Sequence, residues 1–315
     1  MTTVVPNYYK KFRCIADRCR HSCCIGWEID IDADSLEYYR TVGGNLGKRL
    51  AENIITEADG TSHFKLCADQ RCPFLNDKNL CDICTELGQE GFCQICDDHP
   101  RFRNFYSDRT ETGLGLSCEA AAKLILSQKE PSVLITAEND GGEFLWEEEC
   151  DFLDFRDDIF DILQDRTKTV ENRIEDMLTF CNISMPQKSA SQWADIFLGL
   201  ERLDGSWDIM LNKMKNADHN RLAVPQSEET ETAFEQLAVY FAYRHLADSL
   251  DDDRLAERIK FVALSCRIIY WLCALQYNIN RDITLDDMAE ICRIYSSEVE
   301  YSDDNMEKLF EILSE

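Results

Sequence analysis

Glycine and proline are scarce, 13 and 6 in 315 residues, which excludes collagen-like and low-complexity architectures. No run reaches 18 uninterrupted apolar residues. The nearest candidate, Phe261 to Leu275, is interrupted by Arg267 and reads as a buried helix rather than a membrane span. The opening stretch, Met1 to Phe12, lacks the charged-then-apolar form of a signal peptide. A cytoplasmic home with no membrane partner is therefore expected. Positive charge is also short: 33 Lys and Arg stand against 60 Asp and Glu, a net −27. Phosphate backbones would repel such a chain, so general nucleic-acid binding is disfavoured. Several cofactor motifs are missing. Gly113-x-Gly115 lacks the third glycine of a dinucleotide fingerprint, and there is no P-loop and no HExxH. The C-x3-C-x2-C triplet of radical S-adenosylmethionine enzymes is absent too: after Cys19-x3-Cys23 the required position is Gly26. What remains is 44% apolar and 30% charged, enough to bury a real core.

Cysteine is the residue in excess. The chain has 16, and eleven fall before residue 119: Cys14, Cys19, Cys23, Cys24, Cys67, Cys72, Cys81, Cys84, Cys93, Cys96 and Cys118. The other five, Cys150, Cys181, Cys266, Cys273 and Cys292, sit among Leu, Ile and Phe and read as small buried hydrophobes. In a reducing compartment disulfides do not persist, so clustered thiols point to metal binding or redox chemistry. A disulfide framework is the plainer alternative, but adjacent Cys23 and Cys24 bridge each other only with strain.

Charge divides the chain. Residues 1–130 carry 16 basic and 20 acidic side chains, and residues 131–315 carry 17 and 40, so the net charges are −4 and −23. The seam is expected between Gln128 and Gly142, around Pro131 and the Gly141-Gly142 pair. Beyond it, prolines occur only at Pro186 and Pro225, and the pattern is helical. Helices are expected over Glu143–Asp165, Thr169–Cys181, Ser189–Lys215 as one helix or as two broken near Gly205, and Leu255–Leu275. Another should begin at Thr284, with Met288, Ile291 and Ile294 inward, and a last one should cover Asp303–Leu313. Ser227 reads as an N-cap without a full capping box, because Thr230 stands where Glu or Gln is usual. Asp251-Asp252-Asp253 reads as a solvated turn. In the first part, Trp27 to Asp32 alternates like a strand, Asp34 is placed to cap a helix from Ser35 to Arg40, and Ser117–Leu126 is a short amphipathic helix. The expected fold is mainly α: a Cys-rich, loop-rich metal-binding region, 1–130, packed on an acidic helical region, 131–315.

The thiols come in three groups: Cys14-x4-Cys19-x3-Cys23-Cys24, then Cys67-x4-Cys72-Pro73-Phe74-Leu75 with Cys81-x2-Cys84, then Cys93-x2-Cys96 with Cys118 beyond. A C-x2-C pair lets two thiolates face one metal from a single turn. Zinc would take four such ligands and fold the loops; an iron–sulfur cluster would also take about four. Iron–sulfur is the favoured reading, with zinc as the alternative.

These residues, with Phe12-x-Cys14, Gly26-Trp27-x-Ile29, Leu80-Cys81-x-Ile83, Leu87-Gly88, Pro100-Arg101 and Leu116-Ser117-Cys118, resemble the flagellin lysine-N-methylase (FliB-like) family. The likeness covers residues 8–126; the acidic remainder agrees only in general character. Cys67 and Cys84 look like additions to the family pattern. The resemblance therefore singles out nine ligand candidates: Cys14, Cys19, Cys23, Cys24, Cys72, Cys81, Cys93, Cys96 and Cys118. It implies methyl transfer from S-adenosylmethionine to lysine amines of flagellin, with an iron–sulfur cluster of the 4Fe-4S type required for activity. With no dinucleotide fingerprint, the donor site would be of an unusual kind. Arg101 is a candidate partner for the donor carboxylate, and Trp27 and Tyr106 for its adenine or the methyl path; a loop salt bridge and ordinary core packing are the competing readings. His21 and His99 sit among the thiols as possible ligands or bases. A non-enzymatic zinc- or iron-binding module and an electron-transfer protein remain as alternative functions.

Overall fold

A computed structural model describes residues 2–139, 144–218, 224 and 227–314. The chain is mainly helical and divides into two compact units: Arg13–Arg101, and Met1–Phe12 together with Phe102–Glu315. The division differs from the expected one near residue 130. The reason is long-range strand pairing. Thr2–Pro6 runs parallel to Arg109–Leu114 and antiparallel to Leu134–Asn139, so the first residues join a sheet completed more than a hundred residues later. The sheet order is Arg101–Phe105, Arg109–Leu114, Thr2–Pro6, Leu134–Asn139. Much of the expected seam is thus a strand; Gly141, Gly142, Glu143 and Pro225 lie outside the described residues. Gly113 serves this sheet rather than a nucleotide loop, because a Cβ there would lie 2.2 Å from the Phe102 ring.

The smaller unit has its own core of Ile29, Ile31, Tyr39, Leu46, Leu50, Phe64, Phe74 and Ile83. The alternating run from Trp27 forms no long ladder. Its apolar members Ile29 and Ile31 are buried, and only backbone bonds from Phe64 to Ile29 (3.1 Å) and from Ile31 to Ser62 (2.7 Å) tie it to the hairpin Ile54–Thr56/Ser62–Phe64. The N-cap of the next helix, Ala33–Thr41, is Asp32 rather than Asp34: its Oδ1 accepts the Ser35 N–H at 2.9 Å. Asp34 sits in the first turn, where the helix dipole still favours its charge.

The larger unit is built from helices Glu147–Leu163, Val170–Phe180, Ala190–Leu198, Gly205–Lys215, Glu228–His245, Leu255–Asn280, Leu285–Tyr295 and Asp303–Leu313. Their starts follow capping chemistry. Ser189 and Gln192 form a reciprocal box, and so do Thr284 and Asp287. So do Ser227 and Thr230, against expectation: the Thr230 hydroxyl accepts the Ser227 N–H at 3.0 Å, as a Glu carboxylate would. Leu255–Asn280 has no Gly or Pro. It is long and apolar enough to cross a membrane, but 72% of its most apolar window is buried inside the protein. Asp251 and Asp252 belong to a short helix, Ser249–Asp252, and Asp252 pairs with Arg258 at 2.6 Å. Of the later cysteines, Cys266, Cys273 and Cys292 are buried as expected, Cys181 is half-buried, and Cys150 is exposed, because it lies on the outward side of an amphipathic helix.

A charged hub lies inside this core. Glu300, in the π-helical turn Ser296–Glu300, accepts from the Tyr240 hydroxyl at 3.0 Å and faces His245 Nε2 at 2.6 Å and Arg244 Nε at 3.3 Å. Burial favours its neutral acid, but Arg244 and His245 outweigh that and hold its carboxyl at about 2. Tyr240 also receives the Leu116 N–H at 3.2 Å, which fixes the approach to Cys118. Because Glu300 titrates below the ordinary value of 4.5, its contribution to stability is present above that pH and is lost as pH falls toward about 2. Glu300→Ala strands Arg244 without a counter-charge and His245 without its hydrogen-bond partner, and should cost about 3–5 kcal/mol. Thermal unfolding at neutral pH checks this, and a change near zero would show that the hub is dispensable.

Candidate metal centre

Five cysteines of the smaller unit, Cys24, Cys72, Cys81, Cys93 and Cys96, share one hydrophobic cluster. They arrive there from three separate stretches. The Cys72 N–H donates to the Cys24 carbonyl at 2.8 Å, and the Gly26 N–H to the Gln70 carbonyl at 3.0 Å, so the first and second groups are stitched by backbone. Gly26 makes this turn at φ +92°, a left-handed conformation that suits glycine. Leu75 bridges to Cys81, and the Asp82 N–H donates to the Phe74 carbonyl at 2.8 Å, which closes the loop between Cys72 and Cys81. The third group is tied by Asp32. While one carboxylate oxygen caps Ala33–Thr41, the other accepts the Gln94 N–H at 2.8 Å, immediately after Cys93. Burial would raise the Asp32 carboxyl, but these donated N–H groups prevail and hold it below the usual range.

Other polar side chains brace the loops. Arg49 donates to Asp82 at 2.8 Å and to the Pro73 carbonyl at 3.0 Å, and its guanidinium lies 5.3 Å from the centre of the Phe74 ring. Asn76 donates to Asp82 at 2.8 Å and receives the Lys78 and Leu80 N–H groups. The buried Tyr39 hydroxyl donates to the Gly91 carbonyl at 2.8 Å, just before Cys93. None of these residues was singled out by the sequence. Asp32 could have been, since it stands two positions before the proposed cap; Arg49 and Asn76 act across distances that no local pattern carries.

The chemistry of the sulfurs suits a cation. Cys81 and Cys93 each occupy the N-cap of a short helix. The Ile83 and Cys84 N–H groups point at Cys81 sulfur, that of Cys96 at Cys93, and that of Phe74 at Cys72. Such N–H donors stabilise thiolates and tune thiolate-bound iron. Without a cation the crowded thiols resist ionisation. Burial pushes Cys72 up to about 12 and Cys81 to about 11, and the neighbouring thiols add to both. Cys96 is raised by its hydrogen bond to Cys93 and by burial, while the same bond lowers Cys93. Cys24, hydrogen-bonded to Cys23, is lowered to about 7. A bound cation would deprotonate such thiols outright. All sixteen cysteines are unbridged, so the pairwise disulfide framework is not adopted. Among the described residues no three His, Cys, Asp or Glu side chains close around one point as a finished ligand shell. The thiols are neighbours in one core, correct in number and softness, and set as hydrogen-bonded pairs.

The remaining candidates fall elsewhere. Cys14 and Cys23 are exposed, Cys19 is half-buried, and Cys67 is exposed. Cys84, taken as a lesser candidate, lies within electrostatic reach of Cys81 and Cys14. Cys118 belongs to the larger unit, at the N-cap of Glu119–Leu126. Trp27 donates its indole N–H to the Cys23 carbonyl at 2.8 Å, so it braces the first thiol turn. Arg101 donates to the Asp97 carbonyl at 2.7 Å, at the end of the Cys93–Cys96 helix. Burial first, and then Arg101, lower His99 to about 4, so it is neutral at pH 7. Tyr106 is buried in the larger unit, stacked on Phe152 with its hydroxyl 3.5 Å from Arg156, which is core packing.

The sequence pattern of the FliB lysine N-methylase C-terminal domain matches residues 192–315. Over that stretch the chain resembles the FliB family. The match falls on the helical half, including Tyr240, Arg244 and Glu300, whereas the cysteine likeness lies at the other end of the sequence. A lysine-N-methylase of Salmonella typhimurium is 27% identical over 139 residues, 42% of this chain and 35% of that protein. The lysine-N-methylase of Salmonella choleraesuis matches to the same extent. The flagellar biosynthetic protein FliU of Salmonella muenchen is also 27% identical over 139 residues, 82% of its length. The match spans about a third of the two lysine-N-methylases, 35% of each. No solved structure matches the chain.

Replacing Cys24, Cys72, Cys81, Cys93 or Cys96 by Ser should each lower the metal content of anaerobically purified protein severalfold, while Cys67→Ser should leave it unchanged. Elemental analysis per mole of protein reads this directly. Equal losses at Cys67 and Cys93 would remove the distinction drawn between exposed and clustered thiols.

Proposed function

We propose that the protein is a protein-lysine N-methyltransferase that uses S-adenosylmethionine and acts on flagellin, with an iron–sulfur cluster held in the Arg13–Arg101 unit. The observation that carries the reading is the FliB C-terminal match over residues 192–315 in a chain whose other unit gathers five thiols. FliU supplies the flagellar connection, through its name alone.

Cys24, Cys72, Cys81, Cys93 and Cys96 would supply the cluster's ligands, with Cys23 and Cys84 as their immediate neighbours. When bound, the cluster supplies soft, redox-capable iron and locks the loops. The chain's own contribution is positional. Asp32, Arg49, Asn76 and the Tyr39 hydroxyl hold the three cysteine-bearing loops in register. Arg101, which donates to the Asp97 carbonyl at the end of the Cys93–Cys96 helix, would pair with a donor carboxylate.

The reaction is a displacement at the sulfonium methyl. The lysine nitrogen's lone pair forms the N–C bond while the C–S bond breaks, and its electrons stay on sulfur as a thioether. The amine must first lose a proton, and a desolvated site favours that neutral form. Alignment of nitrogen, methyl carbon and sulfur supplies most of the acceleration. The net −23 of residues 131–315 raises the local concentration of cationic lysine segments.

A metal-binding role without catalysis is the second reading. It is favoured by the placement of the thiols inside a hydrophobic core, as in closed structural sites. Incubation of the anaerobically purified protein with S-adenosylmethionine and flagellin, followed by intact-mass and peptide mass spectrometry, separates the two. Lysine peptides heavier by whole methyl units are expected. An unmodified flagellin, with the metal in place and no calorimetric binding of the donor, leaves the structural role.

A further inference from the structure

Three aromatic side chains in the larger unit stand in water. Phe144 is 97% exposed, Phe105 73% and Trp146 72%, the most exposed large apolar side chains among the described residues. They are gathered in one place. Ser107, two residues after Phe105, donates its hydroxyl to the Phe144 carbonyl at 3.1 Å and its N–H to Glu149 at 2.8 Å. The other Glu149 oxygen accepts the Ser107 hydroxyl, and the Trp146 N–H at 2.9 Å. Phe105 ends a strand at the edge of the sheet, and its neighbours Phe102 and Asn104 take the inward side: the Phe102 ring meets Tyr243 at 5.5 Å, and Asn104 donates to the Tyr243 carbonyl at 2.9 Å. The outward side is left to Phe105 and Arg103.

The helix beside Phe144 and Trp146 carries an acidic fringe. Glu147, Glu148, Asp151 and Asp154 are exposed beside them, and no Lys or Arg occurs from Phe144 to Phe155. The first basic residue of that helix, Arg156, is buried and paired with Glu111 at 2.5 Å. Apolar contact surface ringed by acid selects a partner that offers apolar and cationic groups together. A second copy of this chain is disfavoured, since a two-fold contact would set these carboxylates against their own equivalents. Anionic lipid is disfavoured for the same reason.

We propose that the Phe105–Phe144–Trp146 surface docks a lysine-bearing, apolar-containing segment of the protein substrate, with its ammonium groups against Glu147, Glu148 and Asp151. The role assigned to the docking rests on the methyltransferase reading; the binding does not.

The test uses the metal-loaded full chain and a fluorescein-labelled peptide containing Lys, Leu and Phe, with a second peptide in which Glu replaces every Lys. Fluorescence anisotropy should show the lysine peptide bound at least tenfold more tightly than the Glu peptide. The double variants Phe144→Ser with Trp146→Ser, and Glu147→Lys with Glu148→Lys, should each weaken the lysine peptide at least tenfold at unchanged circular dichroism. With flagellin, the variants should raise KM and leave kcat near the parent value. Equal binding of the two peptides, or variants that bind like the parent, overturns the proposal. So does a parent dimer that the variants turn into a monomer while peptide affinity stays the same. Binding lost in the variants, together with no methyl gained by flagellin in the parent reaction, upholds the docking surface and removes the methyltransferase reading instead.

Discussion

A carboxylate that accepts from several donors fixes the segments those donors belong to, and each unit is organised around one. In the smaller unit Asp32 spends one oxygen on the helix it caps and the other on the turn after Cys93, so a single charge sets the spacing between segments sixty residues apart. In the larger unit Glu300 draws Tyr240, Arg244 and His245 to one point, and Tyr240 passes that order on to Leu116. Removing the Glu300 charge leaves donors buried with nothing to hold, which costs more than the bond itself contributed. Both hubs stand next to cysteine-bearing backbone.

The thiols show the same economy of satisfaction. Inside the hydrophobic cluster Cys93 and Cys96 share a proton, Cys24 shares one with the exposed Cys23, and Cys81 and Cys93 take N–H groups from the starts of short helices. Those donors do little for a neutral thiol and much for a thiolate. The polypeptide thus carries supports for negative charge on sulfur.

Much of the helical half was legible from sequence because its signals are local. Ser189, Ser227, Thr284 and Ser302 cap where they stand, Met288, Ile291 and Ile294 turn inward as their spacing requires, and Asp303–Leu313 has the bounds its pattern indicates. The errors came where a choice depended on distant partners. Asp32 outcompeted Asp34 because it meets Gln94 as well as Ser35. The seam was misplaced because Leu134–Asn139 pairs with Thr2–Pro6. Thr230 completed a capping box by geometry that a residue-type rule overlooks. The cysteine spacings indicated convergence, and five of the nine candidates do meet in one core; the separate place of Cys118 follows from strand pairing, which spacing does not encode.

The pairing of Thr2–Pro6 with Arg109–Leu114 and Leu134–Asn139 also orders events during translation. Thr2–Pro6 has no partner strand to join until about a hundred residues have followed it, whereas Arg13–Arg101 contains the partners for its own core and emerges whole in the interval. The thiol-bearing unit is therefore exposed to nascent-chain chemistry before the larger unit can close its sheet.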